Sequence, residues 1–112
     1  MDTQPLYGIK AELFKALAHP VRVRTLELLT AAERPVSELL AETGIEASQL
    51  SQHLGVLRNA GLVAARRAGN AVYYRLEHPA LADMLAAARV VLTDRLSRTR
   101  EALAALESGE DA

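Results

Sequence analysis

The chain has 112 residues and a formal net charge of −1, and half of its residues are apolar although only 4% are aromatic. This length allows one domain with a modest core of leucine and alanine, which dimerisation would help to stabilise. The sequence contains no cysteine, which excludes disulfides, thiol redox sensing and thiolate metal sites and fits an intracellular protein.

The chain lacks the features of a targeting or membrane segment. The first residues, MDTQP, include an acid and no apolar run, so we expect no signal peptide. The longest apolar stretch is interrupted by Asp83, Arg89 and Asp94 and is too polar for a membrane span. We therefore expect a cytoplasmic protein that does not associate with membranes.

Two helices are predicted in the first third of the chain, after a disordered segment of residues 1–4. Pro5 opens the first helix, which carries apolar residues at helical spacing. These residues are Leu6, Ile9, Leu13 and Leu17. The pair His19-Pro20 ends this helix and starts the second, and residues 30–35 form a connector. The inward positions of the second helix are Val21, Thr25, Leu28 and Leu29.

Two arginines, Arg22 and Arg24, lie near the start of the second helix, where a cation is poorly placed for the helix dipole. One interpretation is that they anchor a phosphate or form an ion pair across a dimer. The other is a local ion pair with Glu12 or Glu27. The pattern favours the local pair for Arg24 and leaves Arg22 open.

A short helix, a glycine turn and a longer helix follow. Ser37 is predicted to cap the short helix, and Gly44 breaks it. The longer helix follows Glu46, ends at Gly61 and directs an apolar stripe inward. This stripe contains Leu50, Leu54 and Leu57, with Val56 beside them. Two helices joined in this way predict a helix-turn-helix.

The opposite face of the longer helix is polar and lacks carboxylates. It presents Ser48, Gln49, Ser51, Gln52, His53 and Arg58. Short donors and acceptors on a face without acids suit contact with base edges and phosphates. Glu46, at the N-cap position, caps poorly and repels phosphate, so that edge is expected to lie away from DNA.

The next segment is predicted to form a β-hairpin, or wing. Its strands cover Val63–Arg67 and Ala71–Leu76, and Ala68-Gly69-Asn70 is the turn. Tyr73 and Tyr74 alternate along the second strand, so one is expected in the core and the other outside.

The distribution of charge supports a local DNA-binding surface. Between Ala47 and Leu76 there is no carboxylate, and there are four arginines, Arg58, Arg66, Arg67 and Arg75. Groove binding by a near-neutral protein requires such a basic face. The alternative is that these arginines are simply solvated, which the neighbouring helix-turn-helix makes the weaker interpretation.

A resemblance to the ArsR/SmtB winged-helix transcriptional regulators is carried by SQLSQHLGVLRNAGLVAARRAGNAVYYRL. The family pattern is roughly S-x-H-L-x-x-L-x-x-A-G-L-V, followed by a basic hairpin with glycine at its tip. The upstream segment FKALAHPVRVRTLELL resembles the first two helices of the same family, and the likeness covers residues 6–106. It implies a mainly α, winged helix-turn-helix fold in the order ααααββα, which dimerises through its first and last helices.

The function implied by the resemblance is that of a homodimeric regulator, a repressor, which binds an inverted-repeat operator and releases it on a signal. We assign the major groove to Ser48, Gln49 and Gln52. Phosphate binding or support of the helix is assigned to Ser51, His53 and Arg58. The DNA backbone or minor groove is assigned to Arg66, Arg67 and Arg75.

After the hairpin, His78-Pro79 introduces a long helix to about Leu106, and residues 108–112 are expected to be a disordered acidic tail. The leucine stripe of this helix is too long to bury against so small a domain. Together with the first helix it is predicted to form the dimer interface through Leu6, Ile9, Leu13, Leu85, Leu92, Leu96 and Leu103. A single domain would thus span residues 5–107.

No phosphate-binding glycine loop, nucleophile motif or paired-acid motif is present, so we do not expect an enzyme. The resemblance also raises metal sensing, because some relatives bind metals. One family site uses cysteines where this chain has Pro35, Val36 and Ser37. That site is therefore absent.

A second family site joins the long helices of two subunits, and its positions here are His78, Ala80, Val91 and Asp94. Only His78 and Asp94 have ligating side chains. Two such pairs across a dimer would suit nickel or zinc as an effector. The structural alternative, which we favour, is that His78 caps the long helix and Asp94 pairs with Arg95 or Arg98.

Two rival functions stay open beside the repressor. The first is a regulator responsive to nickel or another divalent metal at the dimer interface, acting with a protein co-regulator. The second is a winged-helix interaction module that does not bind DNA. Near-neutral charge and Glu46 favour this second rival, whereas the arginine face counts against it.

Overall fold

The computed structural model describes residues 4–109, and these form five α-helices and three short strands. The helices are Gln4–Leu17 (α1), Pro20–Leu29 (α2), Val36–Thr43 (α3), Ala47–Asn59 (α4) and Ala80–Glu107 (α5). The strands are Arg34–Pro35 (β1), Val63–Ala68 (β2) and Ala71–Leu76 (β3). The predicted class, a mainly α winged helix-turn-helix with a small hairpin, is confirmed.

One strand was not predicted. β1 lies in the expected connector and pairs antiparallel with β3, so the sheet order is β1-β3-β2. Pro35 lies opposite Tyr73, and Arg34 lies opposite Tyr74. A proline without an N–H is tolerated in an edge strand such as this one. Two residues are too few to show the alternation from which a strand is predicted.

The starts of two helices differ from the prediction. α1 begins at Gln4, one residue before the expected Pro5. α3 begins one residue before Ser37, and Pro35 occupies its N-cap position without a side-chain hydrogen bond. Ser37 is therefore inside the helix, and its prediction as the N-cap is wrong. The fixed φ of Pro35, −73°, gives the extended geometry that an N-cap needs.

The tip of the wing is tighter than predicted. Ala68 belongs to β2 and pairs with Ala71, so Gly69-Asn70 is a two-residue turn. Gly69 has a φ of +60°, a conformation that glycine adopts without steric cost. The predicted three-residue turn is therefore one residue too long.

Leucines from α2, α3 and α4 build the core of the hairpin-bearing unit. Leu26, Leu39, Leu50 and Leu57 are fully buried. The predicted inward stripe of α4 is confirmed, except that Val56 remains 40% exposed. Because this stripe packs α4 against α2 and β2, the polar residues on the opposite side of α4 face solvent.

The chain divides into two compact units after Leu81, near the start of α5. The second unit begins at Ala82 and contains the rest of α5. Most of its side chains are exposed in the single chain. No helix within the described range 4–109 combines the length and apolarity needed to cross a membrane. The predicted disordered ends fall mainly on residues 1–3 and 110–112, which lie outside the described residues.

The leucines predicted for dimerisation are largely exposed in the single chain. In α1, Leu6 is 50% and Ile9 is 67% exposed, while Leu13 is half-buried. In α5, the exposed fractions are 55% for Leu92, 58% for Leu96 and 54% for Leu103, whereas Leu85 is buried. Apolar surface of this extent is typical of a protein that associates.

Candidate nucleic-acid interface

The two helices of the helix-turn-helix are joined by a short turn at Gly44. This glycine has a φ of +69° and its N–H donates to the carbonyl of Leu40, which ends α3. Glu46 then occupies the N-cap position of α4, as predicted, and its side chain makes no capping hydrogen bond. The first turn of α4 therefore keeps free N–H groups, and Glu46 is the carboxylate nearest to them in sequence.

Most of the predicted DNA-facing residues of α4 share its exposed face. Ser48, Gln49, Ser51, Gln52 and Arg58 are all exposed. None of them forms a side-chain hydrogen bond or ion pair with another described residue. Their donors and acceptors are therefore available to a partner molecule.

His53 is the exception on this helix. Its half-buried ring lies 4.2 Å, centroid to centroid, from the ring of His19 in the loop before α2. Its Nδ1 is 3.2 Å from Nη1 of Arg22. Of the two roles predicted for His53, phosphate binding and support of the helix, this position favours support.

Arg22 connects three helices. Its Nε donates to the carbonyl of Ala16 at 2.7 Å, and its Nη2 donates to the carbonyl of Lys15 at 3.3 Å. These carbonyls belong to the last turn of α1, where a cation is favoured by the helix dipole. The third contact of Arg22 is to His53 on α4, so Arg22 binds groups of the chain itself on three sides.

Arg24 has a different partner from either of those predicted. Its Nη2 lies 3.5 Å from a carboxylate oxygen of Glu42 on α3, and both side chains are about half exposed. Arg24 therefore has an ion pair within the chain, but its partner, Glu42, lies 18 residues away and is neither of the two glutamates predicted.

The hydrogen bonds of the two histidines make Nδ1 the acceptor in both rings. An arginine has no acceptor atom, so Nδ1 of His53 must accept from Arg22 and carry no proton. Nδ1 of His19 accepts from the N–H of Val21 at 3.1 Å and caps α2. Burial lowers the pKa of His53 below its usual 6.5, and the neighbouring His19 and Arg22 lower this pKa further.

The wing presents its arginines outward. Arg66, Arg67 and Arg75 are exposed. Arg67 and Arg75 form no hydrogen bond or ion pair with any residue that the structure describes. Tyr74 is buried while Tyr73 is half-buried, which confirms the predicted alternation.

Arg66 differs from the other wing arginines because it has an acidic partner. Its Nε donates to Oε1 of Glu33 at 2.8 Å, and its Nη2 contacts the same oxygen. Its guanidinium carbon also lies 4.7 Å from the ring centroid of Tyr73, the residue opposite it on β3. The hydrogen bond from Arg66 lowers the pKa of Glu33, and the same bond raises the pKa of Arg66. Residues 47–76 contain no carboxylate, but the segment before β1 brings one, Glu33, to the wing.

The two predicted metal ligands lie in different units of the chain. His78 is exposed, and its backbone carbonyl accepts from the N–H of Leu81. Asp94 pairs with Nε of Arg98 at 3.2 Å, as the structural alternative predicted. No cluster of three or more ligating side chains occurs among residues 4–109.

Comparisons with known proteins point to one family. The family model described as "Bacterial regulatory protein, arsR family" matches residues 19–65 of the chain. The chain is 53% identical over its whole length to the uncharacterised HTH-type transcriptional regulator Rv0081 of Mycobacterium tuberculosis, and covers 99% of that protein. A probable mercury resistance operon repressor of Streptomyces lividans is 36% identical over 84 residues, which are 75% of this chain and 67% of that protein.

Solved structures share the same fold. The crystal structure of Rv0081 aligns with a TM-score of 0.80 at 57% identity, over 86% of this chain and 97% of that one. A homodimeric winged helix-turn-helix DNA-binding domain from Mycobacterium bovis, a possible ArsR-family regulator, aligns with a TM-score of 0.79 at 34% identity. That alignment covers 88% of this chain and 92% of the Mycobacterium bovis domain.

Proposed function

The chain belongs to the ArsR family of bacterial regulatory proteins, and we propose that it is a homodimeric repressor that binds an inverted-repeat operator. Members of this family are DNA-binding transcriptional regulators rather than enzymes. The observation that carries the proposal is the exposed, unpaired polar face of α4 beside two free arginines of the wing.

Sequence readout is assigned to the first half of α4. Gln49 and Gln52 are exposed, and a glutamine amide can bond both N6 and N7 of an adenine in the major groove. Ser48 lies one turn before Gln52 on the same face and can donate to or accept from a base edge or a phosphate. Because the leucine stripe fixes α4 from behind, these side chains are presented on a rigid element.

Backbone contacts are assigned to residues that flank this readout face. Arg58 stands at the C-terminal end of α4, and Arg67 and Arg75 stand on the wing. Each positions the protein without reading sequence, because phosphates are the same at every base step. His53 is left out of the contact set and supports α4 from inside.

The dimer is assigned to the exposed leucines of α1 and α5. The homodimeric state of the Mycobacterium bovis domain supports this assignment. A two-fold axis would relate two copies of α4, and each copy would read one half of an inverted repeat. Helix-turn-helix dimers of this kind bind half-sites about one helical turn, roughly 34–36 Å, apart.

Repression is proposed because the relative from Streptomyces lividans is a probable operon repressor. The signal of that relative is not carried over, because this chain has no cysteine to bind a soft metal ion. For the effector, we propose a divalent metal held by His78 and Asp94 of two protomers. A protein co-regulator acting with that metal belongs to the same proposal.

The experiment is fluorescence anisotropy of the chain on duplex DNA from its own upstream promoter, with a scrambled duplex of equal length as the control. Titration at several salt concentrations gives affinity and salt dependence, and titration at high DNA concentration gives the number of chains per duplex. We expect preference for the promoter duplex and two chains on each inverted repeat. Equal affinity for both duplexes, or one chain per site, would contradict the proposal.

Nickel, zinc and a chelator are added to the same titrations to test the effector. Release of the promoter duplex on addition of one metal, lost in the His78→Ala and Asp94→Ala variants, would support the interface site. A metal response that survives both substitutions would exclude these two residues as ligands. Transcription from the promoter with and without the protein then distinguishes repression from activation.

A further inference from the structure

We propose that Glu33 withholds Arg66 from the DNA backbone and so acts as a positioning residue that weakens operator binding. The inference rests on the proposed function, because it concerns the wing of a DNA-binding protein. Glu33 lies outside both the helix-turn-helix and the hairpin. Glu33 immediately precedes β1, and the β1–β3 pairing brings it beside the wing.

The contact occupies one of the two pairs of donors through which Arg66 could bind DNA. Arginine binds a carboxylate or a phosphate through two parallel N–H groups, one of which is commonly Nε. In Arg66 both Nε and Nη2 already contact Oε1 of Glu33. The same two donors cannot serve Glu33 and a phosphate at one time.

The ring of Tyr73 also holds the guanidinium of Arg66 in this position. Arg66 and Tyr73 are paired residues of β2 and β3, so their side chains lie on one face of the sheet. The guanidinium carbon is 4.7 Å from the ring centroid, within the range of a cation–π contact. Two separate contacts therefore favour the same orientation of Arg66.

The neighbouring Arg67 is a wing arginine without an acidic partner among the described residues. It follows Arg66 on β2, is exposed and contacts no acidic residue of the described chain. Arg66 is also accessible, since 51% of its side chain is exposed, so a phosphate can compete with Glu33 for it. The two arginines thus differ in their pairing rather than in their access to solvent.

The competition has a measurable consequence in the salt dependence of binding. Each phosphate that a protein cation neutralises contributes about −0.9 to the slope of log K against log salt concentration. An arginine shared with Glu33 contributes less than this full increment. Replacing Glu33 with Gln removes the competing charge at nearly constant shape and leaves Arg66 free for the backbone.

The test compares wild-type protein with Glu33→Gln by anisotropy on both the promoter and the scrambled duplex. We expect Glu33→Gln to steepen the slope by up to about 0.9 on both duplexes, because phosphate contacts carry no sequence information. The affinity at low salt should rise several-fold, by about the same factor on each duplex. A thermal melt of each variant confirms that the fold is unchanged.

Two control variants separate this mechanism from simpler effects. Glu38→Gln removes the same charge from another exposed ion pair, with Arg34, which lies outside the candidate interface. Arg66→Ala with Glu33→Gln tests whether Glu33 acts through Arg66. We expect wild-type behaviour from Glu38→Gln, and a much smaller effect of Glu33→Gln when Arg66 is absent, since only the weaker attraction between Glu33 and Arg75 then remains.

Three results would overturn the proposal: an unchanged or shallower slope in Glu33→Gln, an equal change in Glu38→Gln, or a Glu33→Gln effect that is undiminished without Arg66. The proposed function fails separately, because it requires the wild-type protein to prefer its promoter. A protein that binds both duplexes alike, yet binds more tightly as Glu33→Gln, would retain the Glu33 inference and lose the operator assignment.

Discussion

The recognition helix α4 and the wing both face the proposed DNA, but they are held in place by different forces. α4 is fixed by three buried leucines and by a half-buried contact between His53 and Arg22. The wing is held by backbone pairing, and its outward residues are governed by charge, since Arg66 is paired and Arg67 is not. Rigid packing therefore sets the geometry of readout, and surface charge sets the strength of backbone binding.

This difference predicts where a substitution acts. A change behind α4 should reduce stability and, through it, every form of binding. A change on the wing should leave the fold intact and alter affinity for all duplexes alike. Each substitution below is compared with one at a similar residue whose surroundings differ.

The largest effect is expected from Leu57→Ala. Leu57 is fully buried, so truncation should lower the free energy of unfolding by about 2–5 kcal/mol through lost burial and a residual cavity. Val56→Ala, at the adjacent and 40% exposed position, is the matched control and should cost much less. Denaturant unfolding measures both. Equal losses would mean that α4 is not fixed by its leucine stripe.

The next largest effect is expected from Arg22→Ala. This change removes the donors to two carbonyls at the end of α1 and the donor to His53, and should cost about 1–3 kcal/mol. Arg24→Ala, two residues away, breaks only an exposed ion pair and should cost about 1 kcal/mol or less. The same unfolding experiment compares them. If Arg24→Ala were the more costly, the role assigned to Arg22 would be wrong.

On the wing, Arg67→Ala should leave stability unchanged and flatten the salt slope of DNA binding by about 0.9. Arg66→Ala should flatten it less, because Glu33 already occupies that side chain. Salt titrations by anisotropy measure both slopes, and the double variant should show the sum. If neither substitution changes the slope, the wing lies outside the DNA-binding surface.

The smallest effect is a pH dependence of stability from His53. Its pKa is lowered in the folded state, so the unfolded chain takes up this proton first as the pH falls. The contribution of His53 to stability is therefore full above pH 6.5 and declines as the pH drops below that value towards the pKa in the folded state. Unfolding at a series of pH values should show this component in wild-type protein and not in His53→Gln. The control is His78→Gln, at an exposed histidine, which should keep the wild-type dependence of stability on pH. Loss of the pH-dependent component in His78→Gln would contradict its assignment to His53.

The local features of this fold were predictable from the sequence, because they depend on neighbouring residues. The spacing of Leu50, Leu54 and Leu57 predicted α4 and its buried side. Gly44 and Gly61 marked the ends of α3 and α4, and both have positive φ, as helix-terminating glycines require. The errors in these local features were boundaries displaced by one or two residues, the exposure of Val56, and the two-residue strand β1.

The contacts that refine the candidate site were not predictable, because each joins residues more than 30 positions apart. His53 and Arg22 are separated by 31 residues, and Arg66 and Glu33 by 33. A helical or strand period carries no information about which side chains meet across the fold. The charge pattern correctly placed arginines on the wing, but it could not show that an acid before β1 neutralises one of them.

The most direct test of the contrast between α4 and the wing is a comparison of Gln52→Ala with Arg67→Ala. The quantity measured is the ratio of affinity for the promoter duplex to affinity for the scrambled duplex at one salt concentration. We predict that Gln52→Ala lowers this ratio about fivefold or more, through the loss of a bidentate base contact, while Arg67→Ala weakens both affinities and preserves the ratio. A preserved ratio in Gln52→Ala, together with a reduced ratio in Arg67→Ala, would show that the wing reads sequence and would contradict the assignment.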